Sequence, residues 1–172
     1  MIKKAVQIGN AIVRAKSLKA TDFRKAQAIV TNLIDSMRHY GLVGMAAPQI
    51  GVNLRIYVSE IRQTKTRKGK ETDPVRIFIN PRIISKSKKE TVLYEGCGSI
   101  DYGLLFGPVK RPSEVSVKAY GLDGKPFTLK ATGLLAKIMQ HEIDHLNGIL
   151  CIDHFMDTKK IMHREEYLKI KK

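Results

Sequence analysis

The chain has only two cysteines, Cys97 and Cys151, among 172 residues, and so no basis for a disulfide framework. No apolar run comes near the ~20 residues that cross a bilayer. The basic start, Met1-Ile2-Lys3-Lys4, leads into no apolar segment of the kind that directs secretion. These absences make a cytoplasmic protein without membrane attachment the expectation. Aromatic residues are 6% of the sequence and form no aromatic-rich RNA-binding motif. Sequence-specific base recognition, that of DNA included, is therefore not expected. Internal repeats and low-complexity stretches are also missing.

Acidic residues are scarce, at 16 Asp and Glu against 31 Lys and Arg, for a net charge of +15. Such a balance favours close approach to a polyanion, and a solvated basic surface accounts for it equally. Two basic clusters stand out: Arg62, Lys65, Arg67, Lys68 and Lys70, and the tail residues Lys159, Lys160, Arg164, Lys169, Lys171 and Lys172. With 43% apolar residues, the length suits one domain over residues 1–172 with a sizeable core. Residues 157–172 read as a basic C-terminal helix or tail.

Periodicity gives the elements. Residues 20–40 read as a helix with Thr21 as N-cap, an apolar face from Phe23, Ala26, Ile29, Val30, Leu33, Ile34 and Met37, and Gly41 as a left-handed stop. Residues 54–58 alternate as a strand, 61–74 read as an exposed hairpin loop, and 76–80 as a strand stopped by Pro81. Residues 114–120 and 127–130 form a hairpin about Gly121-Leu122-Asp123-Gly124. A helix starts after Thr132 and ends at Asn147-Gly148. Residues 149–152 read as a short strand. Strands joined by hairpins and mixed with helices argue for an α+β fold.

That helix carries the most informative residues, Gln140-His141-Glu142-Ile143-Asp144-His145. Histidines at i and i+4 share one face of a helix, so His141 and His145 can grip one metal ion, with Glu142 beside them to act on a water. Leu134, Leu135, Ile138 and Leu146 make much of the helix apolar, and a half-buried His-Glu-His face is costly unless a metal compensates. A catalytic metal usually takes three protein ligands. The candidates for the third are His154, His163, Glu165, Glu166, His39 and Cys97. Cys97 is the strongest, because Gly96 and Gly98 flank it and permit close approach. Cys151, in the apolar run Ile149-Leu150-Cys151-Ile152, suits a buried core position.

Three motifs together resemble the peptide deformylase family, whose members remove the formyl group from the N-terminal methionine of new bacterial proteins. Gly44-Met45-Ala46-Ala47-Pro48-Gln49 is similar to the family's G-x-G-φ-A-A-x-Q, where φ is apolar. Glu95-Gly96-Cys97-Gly98-Ser99 is similar to E-G-C-L-S, and residues 140–146 to Q-H-E-x-D-H-L. The resemblance extends through Phe78-Ile79-Asn80-Pro81 and Gly133-Leu134-Leu135-Ala136. Two positions depart from it: Leu42 stands where the first glycine is usual, and Gly98 where a leucine is usual.

The resemblance implies short, mostly antiparallel sheets around a central metal-binding helix, with helices near both ends. It implies Cys97, His141 and His145 as ligands of one divalent ion, ferrous iron in the family; the donor set also suits zinc, nickel or cobalt. The implied reaction is attack on the formyl carbon by a metal-bound hydroxide, with Glu142 as general base and then acid. Gln49 and the Gly98 N–H are the implied donors to the developing oxyanion. Val43, Gly44, Leu134 and Ile138 are implied to hold the methionine, and Glu95 to pair with Arg111 and so hold the cysteine loop in place. Formyl-methionyl nascent chains are the implied substrates. The ribosome is the implied partner, approached through the basic surface or the C-terminal helix. The rival expectations are a zinc endoprotease with a third His or Glu ligand, and a deformylase-like module that binds ribosomal RNA with little or no catalysis.

Overall fold

The computed structural model describes residues 1–64 and 71–170. Its first helix, α1 (Phe23–His39), starts later than its periodicity suggests, because the side chain of Asp22 accepts from the N–H groups of Arg24 and Lys25. Asp22 rather than Thr21 is the N-cap, a contact typically worth ~1 kcal/mol. Ala26, Val30, Leu33 and Met37 form its buried face. Gly41, at φ +65°, follows its end as expected.

α1 lies on one face of a five-stranded sheet of order β1-β2-β3-β6-β7, in which every neighbouring pair is antiparallel. The strands are β1 (Gly44–Ala46), β2 (Ile56–Ile61), β3 (Asp73–Lys86), β6 (Glu114–Tyr120) and β7 (Pro126–Thr132). The second long helix, α2 (Gly133–Leu146), covers the opposite face. β2 is buried throughout for this reason. Ile56 and Val58 pack with Val30, Leu33 and Met37 on one side, and Tyr57 packs with Met139, Ile143 and Leu146 on the other. Full burial of each such side chain stabilises the fold by roughly 1.5–3 kcal/mol.

Several boundaries correct the sequence reading. β3 does not stop at Pro81 but runs to Lys86, with a register shift between Ile79 and Arg82. Asn80 takes φ +51° there, and its side chain both donates to Ala20 O and accepts from Ala20 N. The bulge removes the need for a ladder hydrogen bond from proline. β2 and β3 extend into the expected 61–74 loop, since Ile61 pairs with Asp73. Lys65, Arg67, Lys68 and Lys70 of that loop lie outside the described residues, as do Lys171 and Lys172.

A second sheet, of order β4-β5-β8, joins β4 (Glu90–Gly96), β5 (Leu105–Pro112) and β8 (Met162–His163). Neither β4 nor β5 was anticipated, and β4 buries fully only Glu95, so its sequence shows no apolar alternation. Residues 149–152 are not a strand. A single turn of 3-10 helix runs from Cys151 to His154, and Asp153 accepts from the N–H of Leu150. Residues 157–172 are not one helix either. A short 3-10 turn (Thr158–Lys160) leads into β8, and only Arg164–Ile170 form the helix α3. The interruption follows from pairing, because Met162 and His163 bond to Phe106 and Leu105 of β5.

The α+β class, the antiparallel sheets and the central helix thus stand as expected. Among the described residues, no helix is long and apolar enough to cross a membrane.

Candidate metal centre and active site

Three local devices set the position of α2. It begins directly after the last residue of β7, Thr132. The Arg55 guanidinium donates to Leu146 O at 3.0 Å and to the Asn147 side chain at 2.9 Å, holding the far end. Gln140 donates to Pro112 O at 3.0 Å, fixing the helix against β5. His141 and His145 then stand one turn apart with ring centroids 4.9 Å from each other.

Cys97 comes to them from the end of β4. Its Sγ lies 3.2 Å from His145 Nε2, and donor atoms of Cys97, His141 and His145 all lie within 4.8 Å of one another. The other candidate third ligands lie elsewhere. His154 pairs with Asp144 at 3.1 Å, and His39, His163, Glu165 and Glu166 are exposed.

The environment of each donor fits a cation. Glu95, 1% exposed, accepts from Arg111 Nε at 2.6 Å and Nη2 at 3.0 Å, and its Oε2 lies 2.8 Å from His141 Nδ1. Arg111 Nη1 reaches on to Asp144 at 2.8 Å. Burial alone would raise the pKa of Glu95, but the hydrogen bonds from His141 and Arg111 hold it below the usual carboxylate range. Burial would likewise lower His141, yet the bond to Glu95 carries it up to about 9. A metal on Nε2 would replace that proton while Glu95 keeps the one on Nδ1, the usual arrangement behind a ligating histidine. Burial first, and His141 second, push His145 well down, which leaves it neutral. Among the described residues, its buried Nδ1 has no hydrogen-bond partner. Burial also raises the Cys97 thiol, a cost that coordination removes. Converging buried donors of this kind are a soft, borderline set that suits a divalent transition metal.

Glu142 is 3% exposed, its Oε2 has no partner among the described residues, and burial raises its pKa to about 7. Gly44 makes room for it: a Cβ built there would lie 2.4 Å from Glu142 Oε1, so no other residue lets β1 run so close to the acid. The Gln49 side chain is oriented by Ala46, whose N–H donates to Oε1 at 2.8 Å. Its NH2 therefore faces Cys97 Sγ, at 3.7 Å, and Ser99 Oγ, at 3.4 Å. Gly98 sits beside that amide, with its missing Cβ position 3.6 Å from Gln49 Nε2. Cys151 is buried as expected, and it packs in the same apolar cluster as Cys97.

A cavity of about 150 Å³ opens onto His141 and Glu142. Val43, Gly44, Leu134 and Ile138 line it, as do Gln49 and Gly98. The sequence reading did not include Leu42, Tyr94, Phe106, Lys137, Arg164, Tyr167 and Leu168, which also line it. For the last three, the i, i+3, i+4 spacing was the available signal.

The two departures from the motifs prove to be one feature. A Cβ on Gly98 would approach Leu42 Cδ1 to 2.7 Å. The bulk absent at 98 is thus supplied from 42. Gly98→Leu alone is expected to overpack this wall and cost ~1–3 kcal/mol. Pairing it with Leu42→Gly should recover most of the loss. Thermal melting of the two single variants and the double variant measures the coupling, and additive losses would contradict the exchange.

The chain has clear relatives in sequence and in fold. The family model described as polypeptide deformylase matches residues 2–161. A peptide deformylase of Agrobacterium fabrum is 41% identical over 142 residues, covering 82% of this chain and 79% of the relative. One of Brucella suis biovar 1 is 34% identical over 171 residues, covering 98% and 93%. Among solved structures, the peptide deformylase of Thermotoga maritima superposes with a TM-score of 0.79 at 28% identity, covering 91% of this chain and 99% of that one. A class I type b peptide deformylase from Acinetobacter baumannii, solved with Met-Ala-Ser bound, gives 0.85 at 25% identity, covering 90% and 99%. Motifs, donor geometry, family model and fold coincide over nearly the whole length, and the chain belongs to the polypeptide deformylase family.

Proposed function

We propose that this chain, acting as one domain over residues 1–172, hydrolyses the N-formyl group of formyl-methionyl nascent polypeptides through the residues around His141. The convergence of Cys97, His141 and His145 beside the buried Glu142 carries the reading. These three side chains hold one divalent ion, ferrous iron in preference to zinc, nickel or cobalt. When bound, the ion acidifies a water molecule and polarises the formyl oxygen.

The chain's own groups do the rest. Glu95 and Arg111 fix the His141 ring so that Nε2 faces the site. Glu142, buried against Gly44, takes the proton from the attacking water and returns it to the leaving amine. The Gln49 amide and the Gly98 N–H stabilise negative charge as it develops on the formyl oxygen. Val43, Gly44, Leu134 and Ile138 enclose the methionine side chain. Formate release from formyl-Met-Ala-Ser by iron-loaded protein tests the reading; metal-replete protein that releases none would overturn it.

The substrates are made on ribosomes, which places the action in the cytoplasm. We extend the reading to a contact between the basic tail and ribosomal phosphate, supported by the +15 charge and the exposed Lys159, Lys160 and Lys169. Replacing these three with alanine should weaken co-sedimentation with ribosomes and flatten its fall with salt, by up to one phosphate contact per lysine. Identical binding at low and moderate salt would remove the tail from the contact.

A further inference from the structure

The N-terminal segment has no part in the hydrolysis described above, yet it meets both loops that carry the proposed oxyanion donors. The Val6 N–H donates to Gln49 O at 2.8 Å, and the Ile8 N–H donates to Ser99 O at 2.8 Å. The Gln7 side chain lies between them and is fully engaged. Its Nε2 donates to Gly98 O at 2.9 Å and to Ala5 O at 3.1 Å, and its Oε1 accepts from the Tyr102 N–H at 3.2 Å.

What Gln7 grips is the turn that follows Cys97. Residues 97–100 are closed by the Ile100 N–H, which donates to Cys97 O at 2.9 Å. The central peptide of that turn joins Gly98 to Ser99. Its carbonyl accepts from Gln7, and its N–H donates to Cys97 Sγ at 3.4 Å. Both groups belong to one planar unit, so holding the oxygen also sets the direction of the N–H. Gly98 is the softest joint of the turn, because no Cβ restricts its φ and ψ. The residues beyond need holding too. Asp101, Tyr102 and Gly103 take φ of +45°, +51° and +82° in succession. Side-chain-bearing residues keep such angles only where their surroundings impose them, and Gln7 Oε1 does so at Tyr102. The stapled stretch borders the site directly, since Gly98 and Gly103 line the cavity.

We propose that Gln7 is a positioning residue for the metal centre: by holding the Gly98–Ser99 peptide, it keeps an N–H aimed at the Cys97 sulfur. An N–H so placed draws off part of a ligand thiolate's charge. It also turns the positive end of the peptide dipole toward the site where negative charge develops on the substrate. The proposal rests on Cys97 as a ligand and on the deformylase reading, and it adds how the chain tunes that ligand.

The test uses the full-length protein, loaded with cobalt(II) for absorption spectra and with iron for turnover. Gln7→Met keeps the side chain's length and loses its three hydrogen bonds. The thiolate-to-cobalt charge-transfer band should move to longer wavelength, because a sulfur without its N–H donor gives up an electron more easily. For formyl-Met-Ala-Ser, kcat should fall roughly tenfold, short of the ~10²–10³-fold cost of losing an oxyanion donor outright. KM and metal content should change little. Gln7→Glu retains an acceptor for Tyr102 but has no NH2 for Gly98 O, and should move the band as far. It decides the matter should Gln7→Met hold metal poorly. Asn10→Ala loosens the same segment elsewhere, by removing the side chain that accepts from the Ile12 N–H at 3.0 Å. It should leave the band and kcat as they are. An unmoved band in the Gln7 variants would overturn the proposal, as would equal effects of Gln7→Met and Asn10→Ala. A band that moves as expected, in a chain whose unaltered iron-loaded form releases no formate, would bring down the deformylase reading and leave the positioning role standing.

Discussion

Glu142→Gln is expected to keep the metal and the fold while kcat falls by about 10²–10⁴-fold, the usual contribution of a positioned acid–base group. The amide is nearly the same size as the acid, so the tight approach of Gly44 to the side chain is undisturbed. It has no proton to shuttle, and its NH2 cannot accept one from water. The stability of the variant separates this effect from damage. Glu142 is buried with an oxygen that has no partner among the described residues, and burial raises its pKa to about 7. Replacing a carboxylate so poorly accommodated by a neutral group should leave the melting temperature unchanged or raise it. Formate release, metal content by elemental analysis and a thermal melt suffice to decide. A variant within a fewfold of the original kcat, metal retained, would show that another group moves the proton.

Cys97→Ala is expected to lose the metal and, with it, the stabilisation that the metal confers. A ligand present at ~1,000 times its dissociation constant adds about 4 kcal/mol. The melting temperature of the unaltered protein should therefore drop on chelation, and that of Cys97→Ala should not respond. The fold itself should survive, because Ile100, Val109, Leu150 and Val13 pack around residue 97 independently of its sulfur. Full metal retention by the desalted variant would remove Cys97 from the ligand set. It would also return the endoprotease alternative, with its third His or Glu ligand, to consideration.

The two ends of the site were unequally legible. α2 was read with its bounds nearly correct, because its start after Thr132, its stop at Asn147-Gly148 and the His-Glu-x-x-His spacing are all local signals. The β6–β7 hairpin was legible for the same reason, since alternation and the Gly121–Gly124 turn lie within one short segment. Pro81 misled because a proline ordinarily breaks a central strand. Only the Asn80 side chain, satisfied by Ala20 from a distant part of the chain, makes the bulge tenable. β4 gave no signal, since a strand that buries only Glu95 shows no apolar rhythm. The C-terminal residues did show a helical rhythm, but pairing with β5 has priority at Met162 and His163.

The sequence by itself determined the chemistry available. Spacing along one helix is fixed by covalent connectivity and the helical repeat, so His141, Glu142 and His145 had to share a face. The glycines at 44 and 98 were visible as places where something approaches closely. Only the tertiary structure decided what approaches. It chose Cys97 from six candidate third ligands, set Leu42 against Gly98, and built the Glu95–Arg111–Asp144 chain behind His141. It also brought the face of α3 to the cavity, turning part of an expected surface tail into a wall of the site. The physical reason is common to all four. Each depends on distances across strand pairings and packed faces between remote segments, and local propensity carries no information about those distances.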